Sequence, residues 1–330
     1  MNNIGLDTAE ISTKLIAYLR DQFKNPEVEY AENLEQLQGG YETAIYRFKL
    51  KGVPKEVSQP LVLRLYPQFY GIQNAIWESK VQNVLAKAGY PVAQVHFLCT
   101  DMSLLGGAFF IMDFIPGQPL MSAPPETAVE ILGKTHAALH KIDPKDLIAG
   151  LKEAGINDYV YGLDSHFNNL RERTKNLPWI EAGVRWLFDH RPQESDRPSV
   201  CHGDFHPLNI LIKAGEVTGV LDWAGFVIAD PAFDVANTLV LMTIPVKHLV
   251  DLPGEFSADD WDLAAERYLS AYQEIKELDQ TNLIYYRVRR CLLALLEGFE
   301  GQKVWQHPLI VRDLVRYIQK TAGMHIELPG

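Results

Sequence analysis

The chain has 330 residues, 47% apolar and 22% charged, with 23 Gly and 19 Pro. That excludes a disordered chain, a collagen and a coiled coil, and it is enough for about two domains. With 42 acidic residues against 31 basic, the net charge is −11, so nucleic acid is not an expected partner, because phosphate binding needs clustered Lys and Arg.

In chain order, residues 7–22 read as a helix: Asp7 and Glu10 have the spacing of a capping box, and Ile11, Leu15 and Leu19 recur at i, i+4, i+8. Alternation over 44–50 and the apolar run LVLRLY (61–66) predict strands. Residues 74–92 carry an apolar stripe of Trp77, Val81, Val84, Leu85 and Ala88. Gly89 and Pro91 then end a helix. VAQVHFLC (92–99) and AFFIMDFI (108–115) are two more strands. After Pro116-Gly117 the pattern turns helical, over 126–142, 261–276, 281–298 and 308–321. Short strands interrupt it near 209–213 and 217–222, and a polar loop spans 191–199. The charge deficit lies in this second part, with 21 basic residues against 30 acidic after residue 115.

Cys99, Cys201 and Cys291 form no CxxC pair and no disulfide framework. The opening MNNIGLDTAE lacks the basic and apolar regions of a signal peptide, and the longest apolar runs are far short of a membrane span. A cytoplasmic chain with no membrane partner is expected. Its oligomeric state is not readable.

Two motifs are decoys. Gly133-Lys134-Thr135 ends like a P-loop, but Ala128 stands where a further Gly is needed and the segment is helical. His136 and His140 are four apart, yet Ala137 replaces the Glu of a zinc protease motif, so packed histidines are expected.

The dense polar cluster is HGDFHPLNIL (202–211) followed by VLDWAGF (220–226). Asp222 can offer hard oxygens to Mg²⁺, and Asn209 a neutral oxygen to a second ion. Asp204 is then left to take the proton of an attacking hydroxyl. A competing reading makes His202, Asp204 and His206 ligands of a metallohydrolase, which leaves Asn209 unexplained.

HGDFHPLNIL, LDW and ADPAFD (229–234) resemble the aminoglycoside phosphotransferase family, a branch of the protein-kinase-like fold. LGKTHAALHKID (132–143) and the region from about residue 35 extend the resemblance to residue 240. It implies a bilobal α+β fold. Residues 1–115 would form an antiparallel-sheet lobe with one main helix, the hinge would lie at 112–117, and residues 116–330 would form a mostly helical lobe with the catalytic loop and acceptor site. It also implies ATP or GTP as donor, Mg²⁺ as cofactor and a small hydroxylated acceptor. By resemblance Asp204 is catalytic, Asn209 and Asp222 hold metal, and His202 and Asp234 brace the loop. Gly39 and Gly40 would lie in the nucleotide-covering hairpin. Arg64, fixed by Glu78, would pair with the α/β-phosphates. The backbone of Asp113 and Ile115 would meet the base, with Met112 lining the pocket behind it.

Two departures stand out. Arg64 replaces the family's usual Lys but keeps the charge and can pair bidentately. Glu42 and Thr43 stand where relatives often have Ser and Asn. The implied acceptor is an aminoglycoside-type antibiotic, with a metabolite such as an amino alcohol or sugar as the alternative. A non-catalytic nucleotide-binding protein is a second alternative. Asn209 disfavours a macrolide, since those relatives tend to carry His there. Nine acidic residues over 251–279 would attract a cation, or simply form a solvated helix face, and YYRVRR (285–290) does not suit a purely cationic pocket.

Overall fold

The computed structural model describes residues 6–37, 43–67, 71–193, 195–249 and 258–329. Contacts divide the chain into two compact units. One comprises residues 1–118, 149–154 and 211–224, and the other 119–148, 155–210 and 225–330.

The first unit begins with the capping box expected at Asp7. The Asp7 carboxylate accepts the Glu10 N–H (2.9 Å), and the Glu10 carboxylate accepts the Asp7 N–H (3.1 Å). Helix α1 (Thr8–Phe23) follows and buries Ile11, Leu15 and Leu19. Next come β1 (Glu29–Gln36), β2 (Ala44–Lys51), β3 (Leu61–Pro67), α2 (Gly71–Lys87), β4 (Val95–Cys99), α3 (Met102–Leu105) and β5 (Gly107–Asp113). The strands form one antiparallel sheet in the order β1-β2-β3-β5-β4. Strand β1 escaped the sequence reading because it is an edge strand. Of its residues only Leu34 is buried, so no apolar alternation marks it.

The pleat sorts side chains to opposite faces of the sheet. Leu61, Leu63, Leu65, Phe109 and Ile111 pack in the cluster that holds α1. Tyr66, Ala108 and Phe110 face the other way and pack with Ala75 of α2. Arg64 alternates with the first set, so its side chain belongs to the α2 side. That parity decides where its charge is delivered.

After β6 (Gln118–Pro119) the chain forms α4 (Pro125–His140), α5 (Lys145–Glu153), α6 (Asp158–Tyr161), α7 (Leu163–Thr174) and α8 (Pro178–Asp189). The strands β7 (Ser199–Cys201), β8 (Ile210–Lys213), β9 (Glu216–Val220) and β10 (Val227–Ala229) come next. The chain ends with α9 (Pro231–Thr243), α10 (Val246–Leu249), α11 (Ala258–Gln273), α12 (Gln280–Phe299) and α13 (Pro308–Ala322). Strand β7 pairs antiparallel with β10, and this small ribbon carries the chain into residue 202. Helix α4 packs on α11, and α9 on α12. A Cβ at Gly133 would stand 2.5 Å from the Tyr268 carbonyl oxygen, so the glycine of the P-loop look-alike is where α4 and α11 approach closely. Among the described residues no helix is long and apolar enough to cross a membrane.

Candidate active site

In the first unit, Arg64 meets two carboxylates. Its Nη2 lies 3.4 Å from Glu78 of α2 and 3.0 Å from Asp222 Oδ1. The Glu78 side chain is 1% exposed and the Arg64 side chain 12%, whereas that of Asp222 is 50% exposed. The guanidinium also lies 5.6 Å from the Tyr66 ring centre. Burial works against the Arg64 charge, but the nearby Glu78, with Tyr66 and Asp222, outweighs it and raises the guanidinium pKa further. The residue therefore stays cationic and aimed. Asp222 sits at φ +64, a left-handed conformation that Asp tolerates better than bulkier residues. Trp223 beside it is buried and donates to the Val220 carbonyl (3.0 Å).

Asp113 and Met112 lie at the end of β5, where Met112 packs with Phe110 and Ala75. The Asp113 carboxylate pairs with His96 Nε2 (2.7 Å). The Asp113 N–H donates to Gln94 O, and the Phe114 N–H to Pro60 O, both at 3.0 Å. Gly39, Gly40 and Glu42 lie outside the described residues.

In the second unit, residues 202–209 form a loop whose backbone is held from behind by α9. The N–H groups of His202 and Gly203 donate to the Asp234 carboxylate. Asn237 Nδ2 donates to the Gly203 carbonyl (3.2 Å), and the Thr238 hydroxyl to the Phe205 carbonyl (2.7 Å). Asp234, Asn237 and Thr238 stand at i, i+3, i+4, so one helix face carries all three. Gly203 adopts φ +85, and a Cβ there would lie 2.1 Å from the Gly225 carbonyl oxygen. The glycine of HGD is thus a requirement of the turn.

The side chains on this loop are equally constrained. Asp204 is 54% exposed, and its Oδ2 accepts from His206 Nε2 at 3.3 Å. The His206 Nδ1 accepts the Leu208 N–H (3.3 Å), and its Nε2 also lies 3.2 Å from Asn209 Nδ2. Desolvation raises the Asp204 pKa, but the His206 hydrogen bond and charge, with His202 and Arg290, lower it overall, so the carboxylate is ionised at neutral pH. Asn209 Nδ2 donates to the Asp204 carbonyl (3.0 Å), which leaves its amide oxygen as the group to offer a cation. His202 is fully buried, and its Nδ1 accepts the Asp204 N–H (3.2 Å). It supports the loop from beneath.

Behind Asp234 lies a buried network. His136 Nε2 (3.0 Å) and His140 Nε2 (3.3 Å) both donate to its Oδ2, while their Nδ1 atoms each meet a hydroxyl at 2.7 Å, that of Tyr268 and that of Tyr272. A carboxylate only accepts, so each neutral ring has its proton on Nε2 and accepts a hydrogen bond from the tyrosine hydroxyl on Nδ1. Burial drives the His136 pKa down and that of His140 down to about 4, and the same histidines hold Asp234 well below the usual carboxylate range despite its own burial. These three side chains have the spacing of a metal cluster. Their nitrogens and Oδ2 are already engaged in hydrogen bonds, so the histidine pair serves packing and loop support. Asn237, Thr238, Tyr268 and Tyr272 were not singled out in the sequence, and His206 was read there only as a metallohydrolase ligand. The signal was available in the matched i, i+4 spacings of His136/His140 and Tyr268/Tyr272.

Of the acidic stretch, Asp262 pairs with Lys247 (2.8 Å) and Glu274 lies 4.0 Å from Lys134, while residues 251–257 lie outside the described residues. In YYRVRR, Arg289 is buried between Phe167 and Phe233, with its pKa lowered to about 10 by burial.

The family model described as "Phosphotransferase enzyme family" matches residues 33–278. Mouse acyl-CoA dehydrogenase family member 10 is 30% identical over 192 residues, covering 55% of this chain and 18% of that protein. Human acyl-CoA dehydrogenase family member 11 is 25% identical over 256 residues, covering 72% of this chain and 30% of that protein. The chain thus spans less than a third of these relatives. An aminoglycoside 3'-phosphotransferase of Streptomyces fradiae is 27% identical over 218 residues, covering 62% of this chain and 74% of that protein. Among solved structures, a thermostable mutant of aminoglycoside phosphotransferase APH(4)-Ia, in ternary complex with AMP-PNP and hygromycin B, shares the fold. Its TM-score is 0.62 at 19% identity, with 94% of this chain and 100% of that chain covered.

Proposed function

The chain belongs to the phosphotransferase enzyme family, and from that premise we propose that it transfers the γ-phosphate of ATP or GTP to a hydroxyl of a small molecule. In such chemistry catalysis is mostly positioning and electrostatics. Arg64, held by Glu78, would pair with the nucleotide phosphates. Asp222 and the amide oxygen of Asn209 are the hard-oxygen donors that would hold Mg²⁺, which when bound neutralises phosphate charge. Asp204 would orient the acceptor hydroxyl and take its proton late in the transfer. His202 and Asp234 would keep the loop in place. The Asp113 carbonyl and the Ile115 N–H would meet the base, with Met112 behind it, and Gly39 and Gly40 would cover the nucleotide.

The observation that carries this reading is the loop of the second unit. Its exposed carboxylate lies 3.3 Å from His206 Nε2, and its backbone is pinned at four carbonyl and N–H positions by one face of α9. Asp204→Asn keeps size and most hydrogen bonds but cannot accept the proton. It should bind Mg²⁺–nucleotide almost as the parent does and transfer phosphate about 10²–10⁴-fold more slowly. Calorimetry of nucleotide binding beside phosphotransfer rate tests this, and near-parental transfer would remove Asp204 from the reaction. The acceptor implied by resemblance is an aminoglycoside-type antibiotic, with an amino alcohol or sugar as the alternative.

A further inference from the structure

The second unit has a cavity of about 250 Å³ beside the loop that carries Asp204. Its walls include Val129 of α4, Leu208 of the loop, Leu241 and Met242 of α9, Val246 of α10 and Trp261 of α11. Among the described residues that line it, His206 is the one titratable group, and there is no carboxylate, Lys or Arg. Small-molecule sites have this character, apolar walls with a few placed polar groups. The titratable group here is the ring whose Nε2 lies 3.3 Å from Asp204 Oδ2. The apolar space therefore abuts the carboxylate through one side chain.

Among the described lining residues a polycationic acceptor would find no counter-charge, and its ammonium groups would lie against Leu, Val and Met. A hydrocarbon body would fit, and Met242 and Met121 are adaptable enough to close around different shapes. Resting on the phosphotransferase reading, we infer that the acceptor is an uncharged-bodied, aliphatic hydroxyl compound whose hydrocarbon part fills this cavity while its hydroxyl points to Asp204. In the transfer the acceptor oxygen forms a bond to the γ-phosphorus and the bond from that phosphorus to the β–γ bridging oxygen breaks. The hydroxyl proton passes to Asp204, and the nucleoside diphosphate leaves.

The test uses 1-butanol, 1-hexanol and 1-octanol as probes with the full chain, Mg²⁺ and AMP-PNP for binding by ligand-detected NMR, and with Mg²⁺ and ATP for transfer. Hygromycin B serves as the cationic comparison. Affinity should rise about fourfold per methylene until the cavity is full, and kcat/KM should rise with it. Leu241→Asp should abolish that gradient and leave nucleotide affinity unchanged. Val246→Asp repeats the test should the first variant fail to fold. A flat response to chain length, or a gradient that survives both variants, overturns the inference. Transfer to hygromycin B but to none of the alcohols overturns it and leaves the phosphotransferase reading standing. Absence of both Mg²⁺–nucleotide binding and transfer overturns that reading, and the inference with it.

Discussion

Replacing Arg64 by Ala strips Glu78 of the guanidinium 3.4 Å away while its carboxylate stays 1% exposed. Removing one member of a buried ion pair costs about 3–5 kcal/mol. The proton gives an independent figure. A carboxyl of ordinary pKa about 4.3 that must become neutral in the folded state at pH 7 costs about 1.4 kcal/mol for each of roughly 2.7 pH units, or about 4 kcal/mol. At pH 5 the same reasoning leaves about 1 kcal/mol. The sign follows from proton counts. In the variant the folded state holds a proton on Glu78 that the unfolded chain releases above pH 4.3, so the variant loses stability as pH rises. Urea denaturation followed by fluorescence at pH 7 and pH 5 measures both values. Arg64→Lys, which keeps a charge, should lose less than Arg64→Ala. Arg64→Ala combined with Glu78→Leu should be more stable at pH 7 than Arg64→Ala alone. A loss below about 1 kcal/mol at pH 7, or an equal loss at both pH values, would refute the reasoning that the buried Glu78 carboxylate depends on the Arg64 charge.

The parent protein should itself weaken in acid. His140 titrates near 4 when folded, against about 6.5 unfolded, so the unfolded chain takes up the proton first, and about 2 kcal/mol should be lost between pH 7 and pH 5 in the same denaturation assay. Asp222→Asn keeps a side chain that tolerates φ +64 but removes the charge. It should weaken Mg²⁺-dependent nucleotide binding more than about tenfold, since even outer-shell losses reach that size, with a melting temperature close to the parent's. Gly203→Ala must hold a Cβ at φ +85 and 2.1 Å from the Gly225 carbonyl oxygen. A loss of about 3 kcal/mol or more is expected in thermal unfolding.

What the sequence determined by itself was local. Periodicity placed α1, α4, α11, α12 and α13 to within a few residues, helped at α1 by its capping box, and α2 was placed too, although its buried face is Ala75, Glu78, Ser79, Val81, Gln82 and Leu85 and not the stripe of Trp77, Val84 and Ala88. The antiparallel sheet and the helical remainder were likewise legible, as were the dense polar segments around Asp204 and Asp222. Strand β1 and helix α7 were not. β1 is a largely exposed edge strand with no apolar alternation, whereas α7 does carry a helical repeat in Leu163, Phe167 and Leu170, short and set among polar residues, which the sequence reading passed over. Tertiary structure alone decided who meets whom. Strand parity turns Arg64 toward α2, where Glu78 waits fourteen residues on. Two His–Tyr pairs, each 132 residues apart in sequence, close only because α4 packs on α11 at Gly133. The apolar cavity beside His206 draws its walls from segments scattered between residues 121 and 264, none of which is unusual alone. Contacts across such separations depend on how helices pack, and a local pattern holds no record of that.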